Sequence, residues 1–181
     1  MLIRANDSVL VVIDMQDRLV PAMQAPASTL RNAKVLLEAA QACQVPAILT
    51  EQYPKGLGAT VPEILKAARS SPVIEKLHFS CMEDAQFEEA FRKLGRRQAI
   101  LAGMEAHICV MQTAASMIEA GFDVFVVSDA TASRTTASEA ACITRLNATG
   151  AGIVTTEMVI FEWLGKAGTP AFKQLLPMIK H

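Results

Sequence analysis

The chain has 181 residues, 51% of them hydrophobic, and a formal net charge of -1. That length and apolar content predict one domain, residues 1–181, with a sizeable core. A near-neutral charge without a basic run, and only 5% aromatic residues, argue against a nucleic-acid partner. No apolar segment reaches about 18 residues, and the amino terminus lacks the layout of a signal peptide, so a cytoplasmic protein without a membrane partner is expected. The cysteines, Cys43, Cys81, Cys109 and Cys142, are far apart, with no CxxC pair or Cys/His cluster. Neither structural zinc nor disulfides are expected, and no cofactor is implied.

Residues 9–13, VLVVI, form a continuous apolar run ending at Asp14, the pattern of a strand buried on both faces in a parallel sheet. Residues 28–43 predict a helix capped by Ser28, with Leu30, Ala33, Leu37 and Ala40 on one face. A second strand follows at 46–50, then a loop from Glu51 to Gly58. Residues 60–63, TVPE, predict a capping box opening a short helix to about residue 69. A brief third strand at 73–76 ends on Lys76. Residues 84–94 predict a helix with Phe87, Phe91 and Leu94 inward, stopped by Gly95. The fourth strand, 99–102, ends at Gly103, and a tight turn over 104–107 follows. Val110, Thr113, Ala114, Met117 and Ile118 then recur at helical spacing up to Gly121, which puts Cys109 on the first turn of a helix. Residues 122–127 predict a fifth strand. Thr136 and Glu139 suit a capping box for a helix to about residue 149, residues 152–155 a sixth strand, and the tail from about Thr169 one more helix.

Strands alternating with helices imply βαβ units, right-handed crossovers and a mostly parallel sheet, hence a three-layer α/β domain of six strands. Ligand sites in such sheets lie beyond the carboxyl ends of the strands. Asp14 ends the first strand, Lys76 ends the third and Cys109 follows the fourth, so these side chains are expected to converge on one edge.

The three suit nucleophilic catalysis. Cys109 would attack, Asp14 would take its proton, and Lys76 would supply positive charge favouring both carboxylate and thiolate. A helix amino terminus and a lysine lower a thiol pKa from about 8.5 toward neutrality. A close Asp14 opposes this, so the pair is expected to titrate as a coupled unit. Backbone N–H groups in the turn before Cys109, and its own, could hold an oxyanion. Tyr53, Phe79, Met104, His107 and Ile108 flank these residues as candidates to line a pocket, and Gln16 as a hydrogen-bond partner for substrate. Asp129 reads as a loop or cap residue.

Asp14 in VVIDMQ, Lys76 in VIEKLHFS and Cys109 in GMEAHICV resemble the Asp–Lys–Cys pattern of isochorismatase-like cysteine hydrolases, and TEQYPKGLG and GMEAHICV the isochorismatase domain-containing subgroup. The resemblance implies a Rossmann-like sheet of order 3-2-1-4-5-6. It also implies a cis peptide at Met104–Glu105 that aims the N–H groups of Glu105 and Cys109 at one oxyanion. Nicotinamidases of this superfamily bind metal through Asp and His after the second strand; residues 52–56, QYPKG, hold no histidine, so no such site is expected. The implied function is a cysteine-dependent hydrolase of a small amide-like or vinyl-ether metabolite. Alternatives are a non-catalytic binding protein that keeps the fold, or a thiol redox sensor using Cys109 with Cys81 as its resolving partner. A homo-oligomer, dimer or higher, is implied by the family, and fits a mean hydropathy of +0.29 with 19% charged residues.

Overall fold

The first strand is apolar throughout because both of its faces are covered. In β1 (Ser8–Ile13) every residue is buried. Leu10 and Val12 point into one core, and Val9, Val11 and Ile13 into another on the opposite side of the sheet. The computed structural model describes residues 1–179. Its sheet contains β1, β2 (Ala47–Gln52), β3 (Val73–Lys76), β4 (Gln98–Met104), β5 (Asp123–Ala132) and β6 (Gly152–Val154). All neighbours run parallel, in the order β3-β2-β1-β4-β5-β6. Strand order reverses between β1 and β4, so the carboxyl ends of these two strands flank the crevice where such sheets bind ligands.

Helices cover both faces. The first core takes residues from α1 (Pro26–Ala42), α3 (Pro62–Ala68), α7 (Thr156–Leu164) and α8 (Pro170–Ile179). The second takes Phe87 and Phe91 of α4 (Ala85–Lys93), the apolar stripe of α5 (Met111–Glu119), and Cys142 and Leu146 of α6 (Thr136–Ala148). A short helical turn, α2 (Pro54–Leu57), lies in the loop after β2. Among the described residues no helix is long and apolar enough to cross a membrane.

Local details depart from the sequence reading where side chains find other partners. Ser28 does not cap α1. The helix starts at Pro26, and the Ser28 hydroxyl donates to the Ala25 carbonyl. The expected capping box at Thr60 does not form either. Glu51, buried at the end of β2, draws both the Thr60 N–H (2.7 Å) and its hydroxyl (2.8 Å) onto one carboxylate oxygen. At α6 the cap is Thr135, whose hydroxyl accepts from Ser138 N–H, while Glu139 reaches back to Ser133 N–H. Leu94, expected inward, lies outside the buried core. β5 is longer than expected, running on past residue 127 to Ala132 after a register shift against β4 between Leu101 and Gly103. α7 has no counterpart in the sequence reading.

At Gly103 the two central strands come close together. It pairs with Ile13, one residue before Asp14. Its φ is 136°, and a Cβ there would strike the Ile13 backbone. Glycine is the residue that meets both demands. Gly103→Ala should therefore lower the unfolding free energy by about 3 kcal/mol, read from the urea midpoint, through overpacking and backbone strain together.

Candidate active site

The carboxyl ends of β1, β2 and β3 hold a closed polar network. Asp14 leaves β1 with its backbone in the left-handed region, φ 52°, a conformation aspartate tolerates better than most residues. Its N–H donates to the Thr50 carbonyl at 3.1 Å, and this bond turns the side chain across the sheet edge. Oδ1 accepts from the Thr50 hydroxyl at 2.7 Å, and Oδ2 from Lys76 Nζ at 2.8 Å. Lys76 also donates to Gln52 Oε1 at 2.7 Å, and to the carbonyls of His78 and Phe79, each at 3.3 Å. The side chains of Asp14 and Lys76 are fully buried. Among the described residues no buried side-chain nitrogen or oxygen lacks a partner.

Cys109 enters from the other side of β1. It lies in a π-helical turn, Ala106–Val110, between β4 and α5, and not in the first α-helical turn as the apolar spacing suggests. The Glu105 carbonyl, at the start of this turn, accepts from both Ile108 N–H (3.1 Å) and Val110 N–H (3.3 Å). Single π turns often occur at functional sites. Cys109 is 4% exposed, and the Asp14 carboxylate is among the charges that act on its thiol. The Met104–Glu105 peptide is cis.

The charges settle the resting protonation. Burial pulls Lys76 down, but Asp14, by charge and hydrogen bond, together with Cys81 and Cys109, more than offsets it, so the ammonium ends above its usual pKa and stays charged. Cys109 moves the opposite way from the sequence expectation. Burial, and then the Asp14 charge, push its thiol well above the ordinary range; Lys76 opposes this without reversing it. Cys109 thus rests as neutral S–H beside an intact Lys76–Asp14 ion pair. Cys81 is fully buried against the same pair, and burial pushes it up to about 12.

The remaining candidates separate. Gln16 is buried and unavailable to substrate. Its amide Nε2 donates to the carbonyls of Gln52 and Gly58, and its Oε1 accepts from Gln52 N–H. Met104 is fully buried, with its side chain in the α1-side core and away from the crevice. Ile108 packs half-buried on the opposite core. His107 is half-buried, and its Nδ1 lies 2.9 Å from the Ser133 hydroxyl, on the loop after β5. Glu105 pairs with Arg134 on that same loop. Tyr53 (51% exposed) and Phe79 (52% exposed) stand at the surface near Lys76. An open pocket of about 370 Å³ there is lined by Tyr53, Lys55, Lys76 and Leu77 among others. Asp129 caps α7, accepting from Thr156 N–H and its hydroxyl. The sequence reading missed Thr50 and Gln52. Their i, i+2 spacing at the end of β2, which puts two polar side chains on the same face of the strand, was the available signal.

The raised thiols fix the sign of a pH effect. Below the usual value of 9.0 folded and unfolded thiols are both protonated. Above it the unfolded chain loses protons first, so the folded state binds more of them and stability falls as pH rises. The urea midpoint should drop between pH 9 and about 12, the folded value for Cys81, and Cys81→Ala should flatten that slope.

Known proteins share this arrangement of strands. Residues 8–158 match the Isochorismatase domain. Isochorismatase domain-containing protein 2 of Danio rerio is 36% identical over 175 residues, covering 96% of this chain and 87% of the relative. The structure of MAR1 ribonuclease from Caenorhabditis elegans superposes with a TM-score of 0.94 at 33% identity, covering 100% of this chain and 93% of that one. The YcaC gene product of Escherichia coli, described as an octameric hydrolase of unknown specificity, gives a TM-score of 0.91 at 27% identity, over 98% of this chain and 90% of that one. With a domain match across most of its length and a relative above one-third identity, this chain belongs to the isochorismatase family and carries its hydrolase fold.

Proposed function

We propose that the chain is a cysteine-dependent hydrolase that acts in the cytoplasm on a small amide-like or vinyl-ether metabolite, with Asp14, Lys76 and Cys109 as its catalytic residues. The observation that carries this reading is the buried Lys76–Asp14 ion pair, 2.8 Å long, whose charges both act on the Cys109 thiol. A neutral thiol beside an ionised carboxylate is a nucleophile and its base before proton transfer.

For an amide, the Asp14 carboxylate accepts the S–H proton as sulfur bonds to the substrate carbonyl carbon. The carbonyl electron pair moves to oxygen, and the N–H groups of Glu105 and Cys109 hold that oxyanion. The tetrahedral adduct collapses, the C–N bond breaks, and protonated Asp14 returns its proton to the leaving amine. Water then gives a proton to Asp14 and attacks the thioester. Collapse releases the acid, and the departing sulfur regains its proton from Asp14. Lys76 holds the Asp14 carboxylate in place and lowers the cost of the transient thiolate. A vinyl ether would be cleaved without the acyl-enzyme stage. Tyr53, Phe79, His107 and Ile108 are the candidates to shape the pocket.

The test is a screen of small amides and carbamoyl compounds with wild type, Cys109→Ala and Asp14→Asn in parallel. Wild type should turn over at least one compound. Cys109→Ala should abolish that turnover, and Asp14→Asn should lower kcat/KM at least about 100-fold. A short RNA is the opposing arm, because one similar structure is described as a ribonuclease. RNA cleavage that survives Cys109→Ala, with no amide turned over, would overturn the proposal.

We also propose a homo-oligomer, dimer or higher. The octameric relative supports it, as do the exposed Leu77 (71%) and Phe79 (52%). Light scattering should give a multiple of the 19.5 kDa chain mass at micromolar concentration; a monomer would count against it.

A further inference from the structure

Gln52 is a buried amide at the heart of the network, yet the reaction as written gives it no task. β2 and β3 pair in a register that sets Gln52 directly beside Lys76. Its Oε1 accepts from Lys76 Nζ at 2.7 Å, and its Nε2 donates to the Leu77 carbonyl at 2.7 Å. These partners fix which way round the amide sits. Reversed, an NH₂ would face an ammonium and an oxygen would face a carbonyl. The backbone is held as firmly: Gln16 Oε1 accepts from Gln52 N–H at 2.7 Å, and Gln16 Nε2 donates to the Gln52 carbonyl at 3.0 Å. An acceptor clamped at both ends is pre-organised to aim the donor it faces.

We infer that Gln52 is a positioning residue for Lys76, its neutral amide oxygen holding the ammonium against Asp14 so that undiminished positive charge reaches the Cys109 thiol. The inference rests on the catalytic reading of Asp14, Lys76 and Cys109 above. The alternatives at this position differ in kind. A carboxylate in place of the amide would be a second anion on Lys76 and would spend the charge that Cys109 needs. An apolar side chain would remove the shortest of the ammonium's bonds, leave it Asp14 and two carbonyls at 3.3 Å, and loosen the hold on Nζ.

The charged and titratable groups acting on Cys109 are Asp14 from β1, Lys76 from β3 and Cys81 from the segment after it. Those acting on Lys76 are Asp14, Cys81 and Cys109. Gln52 adds no charge of its own, so replacing it with Glu changes the charge felt by the site by one unit while nearly keeping its shape.

The experiment is alkylation of the full chain by iodoacetamide from pH 7 to 10, read by peptide mapping as the rate at Cys109 relative to Cys43. Cys43 ends α1, away from the network, and serves as the internal reference. Gln52→Glu should slow Cys109 about tenfold at each pH, the effect of one unit on a thiol's pKa. Gln52→Met should slow it by a smaller factor. Because labelling needs no substrate, its outcome is separate from the amide screen. If either variant keeps the wild-type circular dichroism and its Cys109 profile superposes on wild type, the inference is wrong. Loss of fold in both variants would overturn it as well, by making Gln52 a brace of the sheet alone.

Discussion

The structure depends on one buried ion pair. Taking Lys76 and Asp14 out of water is costly, and their mutual attraction repays that cost only when every remaining donor and acceptor is satisfied. Here Thr50 supplies the second donor to the carboxylate. Gln52 and the carbonyls of His78 and Phe79 take up the ammonium. Removing one partner would leave the other charge buried and alone, a loss of about 3–5 kcal/mol in comparable cases. The pair therefore constrains the chain around it: the register of β1, β2 and β3 must hold, and the segment after β3 must fold back over Nζ.

The thiol side is built from different materials. β4 comes close enough to β1 to need a glycine at position 103, and the chain then enters the π-helical turn that carries Cys109. That turn is tied down from α6 by the Cys142 thiol, which donates to the Ala106 carbonyl at 3.1 Å. The loop after β5 adds two more ties, through Ser133 to His107 and through Arg134 to Glu105. Ionic and hydrogen-bonded partners place Asp14, while packing and backbone bonds place Cys109. The two halves meet at the Asp14 carboxylate.

Much of this was legible in the residues. The unbroken apolar run of β1, the apolar 99–102 segment and the alternation of strands with helices carry the sheet, because a strand covered on both faces has no polar positions to spare. Asp14, Lys76 and Cys109 stand out as chemically capable groups at strand ends. What failed were several inferences that needed a specific local partner. Thr60 looks like a helix cap until Glu51 proves to be buried beside it. Gln16 looks like a substrate ligand until three backbone groups claim its amide. α7 escaped because TEMVIFEWL is apolar on most sides and lacks an amphipathic stripe; Thr155, whose hydroxyl accepts from Met158 N–H, and Gly165, at φ 64°, mark its ends. The direction of the Cys109 shift was lost for a similar reason. A helix terminus and a lysine are visible in the sequence, whereas the depth of burial that outweighs them is not.

That neutral, nearly enclosed thiol has a consequence for survival of the site. Peroxide and other oxidants attack thiolates, in proportion to how much thiolate exists and how well it is reached. A sulfur held as S–H on a residue only 4% exposed offers them little of either. On the proposed mechanism, reactivity is stored in the neighbouring carboxylate and released when a carbonyl carbon is close enough to take the sulfur's electrons. On that mechanism the arrangement separates being able to react from being vulnerable.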